Sequence, residues 1–226
     1  MKPALILVLA LAVVATAAFA FLEGGGSQPA PSALAHGGGS AKAVLRNATG
    51  KKVGTVNFSQ KHGRVLVNVR VDARLASVPA GFHGFHVHAN DNAANGTGCV
   101  ADPAQAETTW FVSADGHYKD ADPAHAHHGA HNGDLPVLLV YDDGKGRAVG
   151  EAEFATDSFA VHDILDRALI LHKLPDNYRN IPIGAGATQY QPVTDIVADS
   201  TTATGLTAAT GNAGPRLACG VIRSSH

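Results

Sequence analysis

From Lys42 onward the chain is patterned for strands and hardly anywhere for helices. "RVLVNVRVDA" (64–73) sets Val65, Val67, Val69 and Val71 on one face, with Asn68 and Arg70 on the other. That period of two marks a half-buried strand. "KAVLRNA" and "KKVGTVNFS" precede it as two further strands. "PVLLVYDDGKGRAVGEAEFA" reads as two strands joined at "DDGKG", a hairpin signal. "RALILHKL" and "RLACGVIR" are short apolar runs suited to inner strands, and "VHDILDRA" has room for only a turn or two of helix. Seven or eight strands predict an all-β sandwich or barrel. Two long irregular stretches, 90–134 and 173–215, interrupt it; loops of that length in a compact domain carry function or are held by a metal or disulfide.

The N-terminal part has a different pattern. Lys2 precedes an apolar run from Ala4 to Leu22, with small residues at Ala18 and Ala20, which is the layout of a secretory signal cut after Ala20. The alternative is an uncleaved membrane anchor, since about 18 apolar residues can just span a bilayer. No Cys lies near the cut, which argues against a lipid anchor. Residues 1–22 are thus expected to be a signal peptide or membrane tether, 23–41 a Gly/Ser/Pro linker with too little apolar content to fold, and 42–226 one exported domain, periplasmic or extracellular, with a single core.

A formal net charge of −2 over 226 residues, without a basic run, argues against a nucleic-acid partner. The two cysteines, Cys99 and Cys219, lie far apart in the chain. In an exported protein the default for such a pair is a disulfide, the alternative being two buried free thiols.

Thirteen histidines give the chain its chemistry. His86 and His88 in "GFHGFHVHAN" are two apart, so on a strand their rings share one face while Val87 takes the other. Two imidazoles on one rigid strand are half of a planar metal site. His83 lies off that spacing and reads as a structural histidine bonded to backbone carbonyls. His117, His125, His127, His128 and His131 crowd into one stretch, and Asp134 follows; imidazole with carboxylate suits zinc and copper. A solvated His-rich loop is the other reading of that stretch taken alone. His172 ends the run "ALILH", and Asp176 four residues on could orient a metal-bound histidine. His162 has no such context and reads as surface.

These residues resemble the copper–zinc superoxide dismutase family in its exported bacterial branch. The resemblance runs from Lys42 to Ile222 and rests on "GFHVH", "GHY", "HNGDL", "LILH" with "DN", and "GNAGPRLACGVI", in the family's order. It implies a Greek-key β-sandwich or barrel of about eight strands with two long functional loops. It implies copper on His86, His88, His117 and His172, and zinc on His117, His125, His131 and Asp134, with His117 shared by both ions. For the middle zinc ligand His125, two after Pro123, is the choice and His128, before Gly129, the runner-up; His127 would be a bystander. Cys99 and Cys219 match the family's disulfide, Arg216 the arginine beside copper, and Asp176 the carboxylate linking a copper histidine to a zinc histidine.

The implied activity is disproportionation of superoxide, a small anion, to O2 and hydrogen peroxide, with Arg216 attracting the anion and His117 handling a proton. The 173–215 segment has few lysines, so any steering is expected to be local. An exported copper or zinc carrier on the same fold, without turnover, is the competing reading; it needs the metal histidines but not Arg216. An adhesion-type sandwich would leave the histidine spacing unexplained. Oligomeric state is open at this stage.

Overall fold

The computed structural model describes residues 39–73, 78–125, 128–145, 147–178 and 210–225. The expected signal segment, the linker up to residue 38, His127 and most of the 173–215 stretch lie outside the described residues.

Every strand expected from the pattern is present. β1 (Ser40–Asn47), β2 (Lys52–Lys61) and β3 (Arg64–Ala73) form a meander, paired antiparallel in register. β1 starts two residues before the expected domain boundary, because Ala41 pairs with Ser224 and the Ser225 N–H reaches the Ser40 carbonyl at 2.9 Å. The "FHGFHVH" run is two strands, β4 (Gly81–His83) and β5 (Phe85–His88), separated by Gly84. β6 (Leu138–Asp142) and β7 (Ala148–Thr156) are the arms of the "DDGKG" hairpin, where Arg147 returns a backbone carbonyl and a guanidinium to Asp143. β8 (Ala168–His172) and β9 (Arg216–Ser224) complete the set. "VHDIL" forms a single 3-10 turn, Val161–Ile164.

The sheet order is β4-β6-β7-β3-β2-β1-β9-β8-β5. The two outermost strands are consecutive in the chain and joined through one residue, so the sheet must curl until its edges meet. The result is a nearly closed antiparallel barrel. The connections β3–β4, β5–β6 and β7–β8 each run between strands that are not neighbours, as in a Greek key. Gly84 is where the closure bends. A Cβ there would stand 2.5 Å from the Cβ of Ala213, so only glycine fits.

Alternation then sorts side chains. Val65, Val67, Val69 and Val71 of β3 are all buried, together with Ala43 and Leu45 of β1, Val56 and Phe58 of β2, Phe85 and Val87 of β5, and Leu169 and Leu171 of β8. A bulge in the β1–β2 pairing, where Leu45 meets Gly54 and Arg46 meets Lys52, leaves Val53 as the extra residue and turns it inward as well. Because Phe85 and Val87 face this core, His86 and His88 must face away from it.

The core/surface contrast is testable with one substitution made twice. Leu45 is 0% exposed and Leu139 46% exposed. Leu45→Ala should cost about 2–5 kcal/mol of unfolding free energy, from lost burial and the cavity left behind. Leu139→Ala should stay within about 0.5 kcal/mol of the parent. Urea unfolding of the metal-free protein measures both.

Candidate metal centre

β5 lies at the end of the sheet order, and its outer edge is continued by loop backbone. His88 pairs with His117 and His86 with Asp134 as isolated antiparallel bridges. The hydrogen bonds Val87 N to Gly133 O and Tyr118 N to Val87 O, both 2.8 Å, stitch them together. A Cβ at Gly133 would overlap the Val87 carbonyl, so glycine is what lets this loop come so near. The consequence is chemical: two loop residues far along the chain are fixed at main-chain level beside the two strand histidines. On the other side, β8 pairs with β5 and delivers His172, whose backbone N–H bonds the Gly84 carbonyl at 2.9 Å.

Each of the four rings has one nitrogen committed elsewhere. His88 Nδ1 donates to the Asp115 carbonyl at 2.8 Å, and His172 Nδ1 to the Gly214 carbonyl at 3.0 Å. His86 Nε2 lies 2.6 Å from Asp176 Oδ2, and His117 Nδ1 2.7 Å from Asp134 Oδ1. The remaining nitrogens are bare. His88 Nε2 and His172 Nε2 face each other at 3.4 Å, while His86 Nδ1 and His117 Nε2 are buried without any hydrogen-bond partner. Burial, with neighbouring imidazoles and Arg216, holds His88 and His172 well below the ordinary histidine range, so their facing nitrogens carry lone pairs. Burial and His86 likewise push His117 down to about 3, despite Asp134. The ligand atoms of His86, His88, His117 and His172 lie within 4.8 Å of one another. Four converging, buried nitrogens with free lone pairs carry a cost that a cation among them would relieve, and an all-nitrogen set suits Cu(II).

The second cluster grows from the other face of His117. Asp134 Oδ1 accepts a hydrogen bond from His117 Nδ1 at 2.7 Å and lies 3.2 Å from His128 Nδ1 and 3.5 Å from His131 Nδ1. His131 Nδ1 is buried with no hydrogen-bond partner. Three imidazole nitrogens and one carboxylate oxygen are a donor set for a tetrahedral ion such as zinc. A compact group also joins His117, His128 and Asp134 with His86, which shows how close the two clusters are. Asp176 ties them: its carboxylate meets His86 Nε2, and His128 Nε2 at 2.7 Å. Gly211, at φ +60°, gives that carboxylate room, since a Cβ there would overlap Asp176 Oδ1.

His128 therefore occupies the place expected of His125. His125 ends the 3-10 turn Pro123–His125, which closes on Asp122 through His125 N to Asp122 O at 2.9 Å. The turn points its ring outward to Asp120, 2.8 Å away and partly exposed. The chain reverses at Gly129 (φ +86°), whose N–H binds Asp134 Oδ2 at 2.7 Å, and this carries His128 inward. His83 fills the structural role expected of it, with its ring nitrogens at 2.8 and 2.9 Å from the carbonyls of His172 and Pro79. His162 is exposed beside Asp163.

Cys99 and Cys219 are joined as a disulfide, with Cα atoms 5.5 Å apart, and this anchors the loop after β5 to β9. Arg216, on the first residue of β9, donates to the carbonyls of Phe111 and Asp115. Asp115 is a site residue that the sequence reading missed. The "DG" step before His117 was the available signal of unusual backbone there.

Electrostatics separate the carboxylates from the rings. Burial alone would raise Asp134, but the hydrogen bond from His117 and the close approach of His128 and His131 hold it well below the usual carboxylate range. Asp176 is held down in the same way by His128 and His86. Burial would lower His128, yet its bonds to Asp134 and Asp176 raise it to about 9. That raised value stabilises the metal-free fold below pH 6.5, and the benefit fades as pH climbs through 9. A metal ion held at Nδ1 would have to expel the proton, so with His128 as a ligand zinc affinity should rise with pH up to that point. Zinc titration near neutral pH should therefore release protons into a weak buffer. His128→Ala should abolish both uptake and release, and His125→Ala should leave both unchanged.

A family model described as copper/zinc superoxide dismutase (SODC) matches residues 52–222. The copper–zinc superoxide dismutase of Deinococcus radiodurans is 34% identical over 154 residues, covering 63% of this chain and 76% of its own length. That of Mycobacterium tuberculosis is 34% identical over 210 residues, covering 87% of this chain and 78% of its own. That of Brucella abortus is 32% identical over 155 residues, covering 65% and 80%.

Proposed function

The chain belongs to the copper/zinc superoxide dismutase family, and from that premise we propose how its residues divide the work. The protein is an oxidoreductase that uses copper and zinc, and its substrate is superoxide: two superoxide anions and two protons give O2 and hydrogen peroxide. Copper goes to His86, His88, His117 and His172, supported by their bare, buried, converging nitrogens. Zinc goes to His117, His128, His131 and Asp134. The remaining nitrogen of His86 is part of the first set, whereas His131 Nδ1 has no other partner.

Copper, when bound, supplies a one-electron couple, and zinc, which has no redox chemistry, supplies fixed charge and order. The chain supplies the rest. Asp134 keeps His117 Nδ1 turned toward the zinc side, so that Nε2 is the atom at which a proton is held and passed to the anion. Asp176 fixes His86 and His128 in mutual register. Arg216 gives an always-charged fork for the incoming anion. Burial draws Arg216 down to about 10, against the opposing pull of Asp115, and at neutral pH it stays a cation. The observation that carries the reading is the position of the His117 ring, with its centroid 4.1 Å from His86 and 4.8 Å from His88 on one side and 5.1 Å from His128 on the other.

A carrier without turnover would have no use for Arg216 beside the four-histidine set. Arg216→Ala should keep copper stoichiometric while the second-order rate with superoxide falls about tenfold, the low end of what local steering contributes. Arg216→Lys, which keeps the charge but cannot span two carbonyls, should fall between. A rate unchanged in both would reduce Arg216 to a structural tie. Pulse radiolysis on metal-quantified protein measures this.

Export is the second part of the proposal. The apolar 4–22 run and the Cys99–Cys219 disulfide both suit an oxidising compartment outside the cytoplasm. N-terminal sequencing of protein from the native cell should begin after Ala20; a chain retaining residues 1–20 and sedimenting with membranes would identify a tether instead.

A further inference from the structure

Both carbonyls that hold Arg216 belong to residues with left-handed backbone. Phe111 (φ 57°) and Asp115 (φ 63°, ψ −159°) flank the 3-10 turn Val112–Ala114. The second combination is one that glycine enters freely and other residues rarely do. What keeps Asp115 there is its own side chain. Oδ2 accepts the backbone N–H groups of Asp91 and Asn92, each at 2.9 Å, and Oδ1 accepts the Asn95 amide at 2.7 Å. The carbonyl of the same residue accepts His88 Nδ1 at 2.8 Å and the Arg216 guanidinium at 2.5 Å. One residue thus joins the 91–95 turn, a histidine of the four-ring set and the anion-facing arginine.

Taking His88 as a copper ligand and Arg216 as the anion guide, as in the proposed function, we propose that Asp115 is a positioning residue. Its carboxylate, by gripping the 91–95 turn, fixes the carbonyl that sets both the His88 ring and the Arg216 fork. The same carboxylate also places a negative charge near Arg216, which opposes anion attraction. The two effects have opposite signs and can be separated. Asp115→Ala removes grip and charge together. Asp115→Asn removes the charge alone, because its amide oxygen can take the two N–H bonds and Asn95 can flip its own amide to accept the third. Asp115→Gly removes the grip and the backbone strain.

The variants are compared as full chains, loaded with copper and zinc and also metal-free. Asp115→Ala and Asp115→Gly should keep copper stoichiometric and shift its visible and paramagnetic-resonance spectra. They should also lower the second-order rate about tenfold, and speed amide exchange at Asp91 and Asn92 in the metal-free protein. Asp115→Asn should keep the parent spectra and slow exchange, with a rate at low salt equal to or above the parent's. Parent spectra and exchange in Asp115→Ala or Asp115→Gly would overturn the proposal, as would spectra in Asp115→Asn that match Asp115→Ala. If the parent chain binds no copper at the four histidines, the metal assignment fails, while the exchange comparison still decides whether the carboxylate grips the turn.

Discussion

Two buried carboxylates, Asp134 and Asp176, set the terms for everything around them. An ion taken out of water costs several kcal/mol even after the protein relaxes, and it is tolerated only where partners surround it. Here the partners are imidazoles: His117, His128 and His131 on Asp134, and His86 and His128 on Asp176. With metal absent, His128 is the ring whose proton offsets the two negative charges, which is why its pKa is raised while those of His88, His117 and His172 are lowered. The cluster is thus arranged for positive charge at a defined point. A divalent ion meets that demand with more charge than a proton and with directional bonds to the same nitrogens.

Such a cluster needs a frame that cannot collapse inward to fill the gaps between bare nitrogens. The barrel provides it by closure. β4 and β5 sit at opposite ends of the sheet order yet are joined at Gly84, so His86 and His88 lie on a strand held by β8 on one edge and by loop bridges to His117 and Asp134 on the other. Phe85 and Val87 lock the same strand from the core side. The disulfide closes a loop of sequence separation 120, contributing roughly 4–5 kcal/mol on the chain-entropy account. It joins the loop after β5 to the strand that starts with Arg216.

The strands, and the copper-side histidines on them, were legible because both follow from period two. Val65 to Val71 and the His86/His88 pair obey the same alternation, and one geometric rule places all of them. His125 against His128 could not be read that way. The choice depends on a turn that closes on Asp122 and a reversal at Gly129, and neither leaves a periodic trace. Asp115 was hidden for a related reason. Its role comes from a rare backbone conformation and from hydrogen bonds that reach back more than twenty residues to the 91–95 turn and forward to Arg216. Sequence patterns encode which face a residue takes on a regular element, while loop residues acquire their partners only in three dimensions.

The distribution of charge around the site bears on how an anion can be drawn to a protein of net charge −2. Lys173, next to His172, is neutralised by Glu107 at 2.6 Å, and Arg167 lies 3.7 Å from Asp91. Among the described residues Arg216 donates to carbonyls, which are dipoles and not counter-ions, and the Asp115 carboxylate that tempers its charge is engaged with the 91–95 turn, not paired with the guanidinium. Among the described residues it is therefore the cation beside the four-histidine set whose charge is not cancelled by a paired carboxylate. At physiological ionic strength screening acts over about 8 Å, so long-range attraction from scattered surface lysines would add little. Under the proposed role of Arg216, guidance by the described residues is consequently short-ranged and concentrated on one side chain, and the geometry that aims that side chain matters more than the total charge.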